Sequence, residues 1–143
     1  MLPFDELINH IEKDNYINQQ NLESELVRIP QLSVKYLRYH RQYKEVLIHA
    51  WGRQEKLKLE KHTYYSGKAE SDVYRANPFN MVIKNQTELS TWINGDDAMV
   101  TLQANISLTE DCMEKVEAML DSLKFRSNHI QTILQIRIFE SGA

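Results

Sequence analysis

The chain has 143 residues, a net charge of −3, and only four glycines, three prolines and one cysteine. This length predicts one domain that can bury a core, and the low glycine and proline content excludes a long flexible linker. The single cysteine, Cys112, excludes an intramolecular disulfide and a cysteine-based zinc cluster, and we expect it to be a small buried hydrophobe in a reducing compartment.

Two short helices are predicted before residue 31. The first follows Pro3 and ends near Asn15. Its apolar side chains recur at helical spacing: Phe4, Leu7, Ile8 and Ile11. The second takes its cap from residues 18–21. Pro30 lacks the N–H that a helix interior requires, so we expect a kink there, or a break followed by a new helix.

A long helix is predicted from about Gln31 to Tyr65, roughly 50 Å at 1.5 Å per residue. Apolar residues alternate three and four apart along it, which indicates a heptad repeat that packs on a partner helix. They are Tyr36, Tyr39, Tyr43, Val46, Ala50, Leu57 and Tyr64, with Arg53 and Glu60 in the two gaps. Gly67 is placed to end this helix in the left-handed conformation.

The middle of the chain is less regular. Residues 68–78 lack periodicity and are predicted to form a loop. Residues 81–83 form an apolar run too short to assign to a strand or a helix. Residues 87–93 are compatible with a helical turn or two, closed by Asn94-Gly95.

A second heptad repeat runs from Met99 to Leu123, behind a pair of aspartates that suits a helix start. A last helix is predicted from Asn128 to Glu140 and is apolar on nearly every side. A terminal helix of this kind is usually buried between subunits, although packing within one subunit is the alternative. We therefore predict oligomerisation through its apolar residues: Ile130, Ile133, Leu134, Ile136, Ile138 and Phe139.

Together these elements predict a mainly α fold of long antiparallel or coiled helices with a short irregular or β segment in the middle. We describe it as one helical domain with three parts. Residues 1–68 form the N-terminal helices, 69–95 a loop-rich connector, and 96–143 a C-terminal helical oligomerisation element. No apolar run approaches the ~18 residues of a membrane span, and the acidic N-terminus lacks the form of a secretion signal, so a cytoplasmic protein without membrane contact is expected.

Positive charge is concentrated on the long helix. Residues 31–68 hold nine basic and three acidic side chains, a net charge of +6 in a chain of −3. Such segregation favours a face that meets a polyanion, and aromatic residues beside it are typical of single-stranded nucleic-acid binding, in which bases stack on rings. The predicted nucleic-acid-binding residues are Arg53, Lys56, Lys58, Lys61, Tyr64, Tyr65 and Lys68.

Nothing in the sequence predicts an enzyme. The five histidines do not pair at the spacing of a zinc protease site, and neighbouring carboxylates such as Asp96-Asp97 face apart on a helix. Ser66-Gly67-Lys68 lacks the upstream glycines of a phosphate-binding loop. We therefore expect no catalytic residue, no cofactor and no metal ion.

Two segments resemble the UvsY-type recombination mediators of T-even-like phages. The first is Tyr64-Tyr65-Ser66-Gly67-Lys68 at the end of a long basic helix. The second is a set of residues at matching spacings near the C-terminus: Arg126, Ile130, Ile133, Arg137, Phe139, Glu140 and Gly142. The chain length and the acidic first helix also agree with this family.

The resemblance implies a recombination mediator that binds single-stranded DNA and helps load a RecA-type recombinase onto strands covered by single-strand-binding protein. It implies a ring-like homo-oligomer, a hexamer or heptamer, acting in the cytoplasm of an infected bacterial host. Its partners would be single-stranded DNA, the phage recombinase and the single-strand-binding protein. Several basic helices set side by side in a ring would turn a weak contact per subunit into avid binding.

This chain departs from the family pattern at two positions. The family's DNA-contacting motif places two basic residues, separated by one position, shortly before the aromatic pair. Lys61 matches the second, whereas Leu59 stands at the first, beside Lys58. Lys58 lies about 100° around the helix from Leu59, so the DNA path would shift. Gln131 stands where the family more often has a basic residue.

An alternative is a protein with the same helices that does not bind nucleic acid. In a helical homo-oligomeric scaffold, the basic helix would pair with the acidic remainder of the chain, which carries −9. Phosphate contacts produce a steep salt dependence of DNA binding, so a salt titration separates the two classes.

Overall fold

The computed structural model describes residues 1–142 and contains five helices. They are α1 (Phe4–Asn15), α2 (Leu22–Tyr65), α3 (Ser71–Ala76), α4 (Gln86–Asn94) and α5 (Asp97–Glu140). The prediction of a mainly α fold is confirmed. Residues 1–142 contain no strand, and residues 77–85 are irregular, so the β form of the middle segment is not found.

Several helix ends fall where the sequence predicts them. α1 ends at Asn15, and α2 ends at Tyr65. Gly67 follows with a φ of 80°, and the Lys68 N–H donates to the Thr63 carbonyl at 3.0 Å. This hydrogen bond, together with that of Gly67 N–H to the Tyr64 carbonyl, is the Schellman pattern of helix termination, which requires the left-handed residue that glycine supplies.

Of the kink or break expected at Pro30, the break is wrong, because Pro30 lies inside the continuous helix α2. The kink stays a prediction. The proline is exposed, whereas Leu22 and Leu32 on either side of it are buried. Burial of these leucines favours one helix through the proline, although the missing N–H leaves the carbonyl of Leu26 without its helical partner.

The Pro30→Ala variant should therefore be more stable than the natural chain. Alanine restores the N–H donor for the Leu26 carbonyl and removes the steric conflict, which together are worth about 2–3 kcal/mol in a helix interior. The measurement is the urea midpoint at an unchanged m-value. An unchanged or lower midpoint would show that α2 already accommodates the ring without loss.

Two other boundaries also differ from the predictions. The predicted loop 68–78 contains the short helix α3, and the predicted separate helix from Asn128 is part of α5. The buried face of α5 continues through Leu123, Arg126 and Ile130 at spacings of three and four. This continuity is hard to see in the sequence, because Arg126 is a charged residue at a buried position of the helix.

The chain divides into two compact units. The first unit comprises Met1–Glu45 and the chain from Glu110 onward. Its core lies where α1, the first half of α2 and the middle of α5 meet: Leu7, Leu32, Tyr36, Tyr43, Cys112, Val116, Met119 and Leu123. α2 and α5 are antiparallel here, because His40 lies 3.1 Å from Glu117 while Tyr43, further along α2, lies beside Cys112, which is earlier on α5. The prediction that Cys112 is a buried hydrophobe is confirmed.

The second unit comprises Val46–Thr109 and contains the predicted DNA-binding segment. Its buried apolar side chains come from α2, α4 and α5: Leu47, Ala50, Leu89, Met99 and Ile106. α4 begins at a polar cap, where the Asn85 side chain accepts a 2.8 Å hydrogen bond from the Glu88 N–H.

Candidate nucleic-acid interface

The basic side chains of the second unit differ in solvent exposure and in whether they form ion pairs. Arg53, Lys56, Lys58 and Lys68 are exposed, and Lys61 is partly buried. Lys58 Nζ lies 3.2 Å from Glu55 in an exposed ion pair, which contributes little and exchanges readily. Within residues 1–142, no carboxylate lies within 4 Å of Arg53, Lys56 or Lys68.

These cations do not share one helix face. At 100° per residue, Lys56 lies about 60° from Arg53, whereas Lys58 lies about 200° from Lys56. Arg53 and Lys56 line a shallow groove with Leu57 and Glu60. Of the predicted binding residues, Arg53 and Lys56 therefore lie together on one side of α2, and Lys58 lies on another side.

Tyr64 and Tyr65 belong to an aromatic cluster within the second unit. The Tyr64 ring stacks on Tyr74 with centroids 5.4 Å apart, and Tyr65 meets Phe79 edge to face at 5.0 Å. Trp92 completes the cluster, 5.3 Å from Phe79. Each such pair is worth about 0.5–1.5 kcal/mol beyond its buried area, so the two tyrosines contribute to the core of this unit.

Hydrogen bonds fix the hydroxyls of this cluster. The Tyr64 hydroxyl donates to the Asn77 carbonyl at 2.9 Å, and the Tyr74 hydroxyl donates to the Tyr64 carbonyl at 2.7 Å. Both bonds tie the residues after α2 back to the end of that helix. The tyrosines expected to stack on bases are thus held in place by the connector.

Asp96 is the charged centre of this region. Its Oδ2 accepts from the Tyr65 hydroxyl at 2.7 Å and lies 3.3 Å from Lys61 Nζ, while its Oδ1 accepts from the Ala98 N–H at 3.0 Å. Burial alone would raise the pKa of Asp96, but the hydrogen bonds and the Lys61 charge lower it below the ordinary value. Burial and the neighbouring carboxylate raise the pKa of Tyr65, so Asp96 is ionised and Tyr65 is neutral.

An open cleft of about 670 Å³ lies beside these residues. Lys56, Lys61 and Tyr64 line it, together with Val73 of α3 and Asn77. Sequence reasoning missed Tyr74, Phe79, Trp92 and Asp96 as parts of this site. The signal that could have indicated a packed cluster is the presence of three aromatic side chains within the short connector.

The predicted oligomerisation residues lie in the first unit and differ in exposure. Ile130 is fully buried within the chain, and Ile133 is partly buried. The remaining four are exposed: Leu134 at 38%, Ile136 at 51%, Ile138 at 55% and Phe139 at 84%. The last three therefore form an apolar end of α5 that residues 1–142 do not cover.

Within residues 1–142, no group of three or more histidine, cysteine, aspartate or glutamate side chains is arranged to hold a metal ion. None of the helices in this part of the chain is long and apolar enough to cross a membrane.

Comparison with known proteins agrees with the resemblance in the sequence. Residues 10–143 match the sequence model of the family described as recombination, repair and ssDNA binding protein UvsY. The recombination protein uvsY of Enterobacteria phage T4 is 22% identical over 138 residues, which cover 96% of this chain and 97% of that protein.

Solved structures show the same fold. A crystal structure of the bacteriophage T4 recombination mediator protein UvsY (lattice type II) matches with a TM-score of 0.86 and 21% identity, covering 99% of each chain. A second crystal form (lattice type IV) matches with a TM-score of 0.80 and 19% identity, covering 97% of this chain and 99% of that one. Because the family match spans nearly the whole sequence, the chain belongs to the UvsY family of recombination, repair and ssDNA-binding proteins.

Proposed function

We propose that this chain is a recombination mediator that binds single-stranded DNA and helps load a RecA-type recombinase onto strands covered by single-strand-binding protein. The exposed cations Arg53 and Lys56 carry the DNA-binding part of the proposal, since both are free of carboxylate partners within residues 1–142. Family membership and the similarity to the recombination protein uvsY of phage T4 support the rest. The chain acts without a catalytic residue, because no bond is made or broken.

The DNA contact is electrostatic and tolerant of sequence. Lysine and arginine neutralise phosphates without distinguishing bases, and each contact releases bound counterions. Lys68 extends the free cations beyond the end of α2. A single strand following these side chains passes the cleft bordered by Tyr64, so a single strand should bind more tightly than a duplex of equal length.

The Arg53→Ala/Lys56→Ala double variant tests this contact. We expect it to weaken binding of a labelled oligothymidylate and to reduce the slope of log K against log salt by about 1.4 for each contacting subunit, at ~0.7 per phosphate on a single strand. Fluorescence anisotropy at several salt concentrations measures both quantities. α2 should stay helical, because alanine is the best helix former.

The matched control is Lys115→Ala/Lys124→Ala. These lysines are also exposed, and they lie on α5 in pairs with Asp111 and Asp121. The control removes the same charge from the other unit, so it should leave the salt slope unchanged. Equal losses in the two variants would mean that only net charge matters and that the contact is not at Arg53 and Lys56.

We further propose that the chain assembles into a ring-like hexamer or heptamer through the exposed apolar end of α5. Ile136, Ile138 and Phe139 supply the surface, and a neighbouring subunit would cover it. The ring would array the cations of several subunits along one strand. On the basis of the family resemblance, we also propose that the chain contacts the recombinase and the single-strand-binding protein. It would act in the cytoplasm of an infected bacterial host.

A further inference from the structure

Lys61 stands at the position that the resemblance assigns to DNA, yet its ammonium group already has a partner. We propose that Asp96 withholds Lys61 from the phosphate backbone, so that this carboxylate limits the affinity for single-stranded DNA. Lys61 is then a positioning residue of the aromatic cluster instead of a phosphate contact. The inference rests on the proposed DNA binding and identifies what regulates its strength.

The ion pair between Asp96 and Lys61 is largely shielded from solvent. The side chain of Asp96 is only 10% exposed, and the side chain of Lys61 is 22% exposed, against 45% for Lys58. Moving Lys61 to a phosphate would leave a buried carboxylate without its cation. Breaking a buried pair in this way is strongly unfavourable, whereas an exposed pair such as that of Lys58 exchanges at little cost.

The ammonium group of Lys61 has a second contact. Its Nζ lies 5.8 Å from the centroid of the Tyr64 ring, in the range of a cation–π contact. The same ammonium group therefore links Tyr64 on α2 with Asp96 at the start of α5. Displacing it would disturb the anchor of the aromatic cluster as well as the ion pair.

The Asp96→Asn variant releases this cation and keeps the helix cap, while the Tyr65 hydroxyl must reverse from donating to Asp96 to accepting from the new amide. Asparagine caps a helix about as well as aspartate, so its carbonyl oxygen can keep the N–H groups of Ala98 and Met99. The new amide NH₂ faces Lys61, and two donors do not bind each other. Lys61 then becomes free to reach solvent and phosphate.

The experiment compares the full-length natural chain with three variants: Asp96→Asn, Lys61→Met and the double variant. Methionine keeps the apolar stem beside Tyr64 and removes the charge. Binding of oligothymidylate is measured by anisotropy across a salt series, with Lys56→Met as the reference for an unpaired lysine. Circular dichroism and thermal unfolding of each variant report the fold.

Asp96→Asn should steepen the salt slope by about 0.7 per contacting subunit, which is roughly a fivefold gain in affinity at 0.1 M salt. Lys61→Met alone should leave the slope unchanged, whereas Lys56→Met should reduce it. The double variant should lose the gain. Lys61→Met should also lower the unfolding midpoint, and adding Asp96→Asn should restore part of it, because no unpaired carboxylate remains.

Two outcomes would overturn the inference. If Lys61→Met flattens the salt slope as much as Lys56→Met, Lys61 already contacts DNA. If the gain of Asp96→Asn persists in the double variant, whose net charge equals that of the natural chain, it arises from loss of the carboxylate's own repulsion of phosphate and not from the released lysine. Failure of the proposed function is distinguishable from both, since the natural chain would then not bind the oligonucleotide, while the unfolding midpoints would still show whether the pair exists.

Discussion

If the proposed ring forms through the end of α5, replacing Ile136, Ile138 and Phe139 together by serine should dissociate it and lower the affinity for single-stranded DNA by a factor of about 10²–10⁴, the range that avidity supplies. These side chains are more than half exposed, so their loss removes little from the core of the first unit. Burying each apolar side chain against a neighbour is worth about 1.5–3 kcal/mol, and three per interface are enough to decide association.

Light scattering after size exclusion gives the mass of the variant, and anisotropy gives its affinity. The matched control is Met81→Ser/Val82→Ser, which removes exposed apolar side chains from the irregular segment between α3 and α4. The control should keep both the mass and the affinity. A triple variant that keeps the mass of the natural assembly would place the subunit contact elsewhere on the chain.

Replacing Asp14 by alanine should reduce the stability of the first unit by about 3 kcal/mol. The Asp14 side chain is nearly buried, and its Oδ2 accepts from Lys35 at 2.6 Å and from the Tyr36 hydroxyl at 2.9 Å. Removing it leaves the buried Tyr36 hydroxyl without an acceptor. The value lies at the lower end for a broken buried pair, because Lys35 keeps 30% exposure and partial hydration.

Denaturant unfolding measures this loss, and Asp121→Ala is the control. Asp121 forms an exposed pair with Lys124 at 3.3 Å, so its removal should change stability by no more than about 0.5 kcal/mol. If Asp14→Ala costs no more than the control, the network around Asp14 does not stabilise the unit.

The same carboxylate predicts how stability depends on pH. Burial would raise the pKa of Asp14, but hydrogen bonds from Lys35 and Tyr36 and the nearby charges lower it below its ordinary value. A lowered folded-state pKa means that the contribution is complete above the unfolded pKa of ~3.9 and is lost as pH falls through the folded value. The natural chain should therefore lose stability below about pH 4 faster than Asp14→Ala does.

Helix content and most helix ends could be predicted from the sequence because they depend on local signals. The spacing of apolar residues, the polar caps and Gly67 all act within a few residues, and the structure agrees with them at α1 and at the end of α2. Pro30 shows the limit of such signals, since burial on both sides of it favours a continuous helix against a local preference.

The candidate site was predictable only in part, because its geometry depends on contacts distant in sequence. Arg53 and Lys56 follow from charge alone. The pairing of Lys61 with Asp96, 35 positions away, does not, since the sequence gives no sign that these two charges meet. Arg126 was recognised through the resemblance, but its burial against the Asp14 carbonyl at 2.7 Å has no local signature either.

Because Cys112 is buried, a cysteine introduced at an exposed position can be alkylated selectively. Desolvation raises the pKa of the Cys112 thiol, and the nucleophile in alkylation is the thiolate, so Cys112 should react slowly at neutral pH. A cysteine introduced at the exposed Leu59 would be the fast-reacting thiol. Aminoethylation of that cysteine would create a lysine-like side chain, placing a positive charge by chemistry at the position where this sequence lacks one.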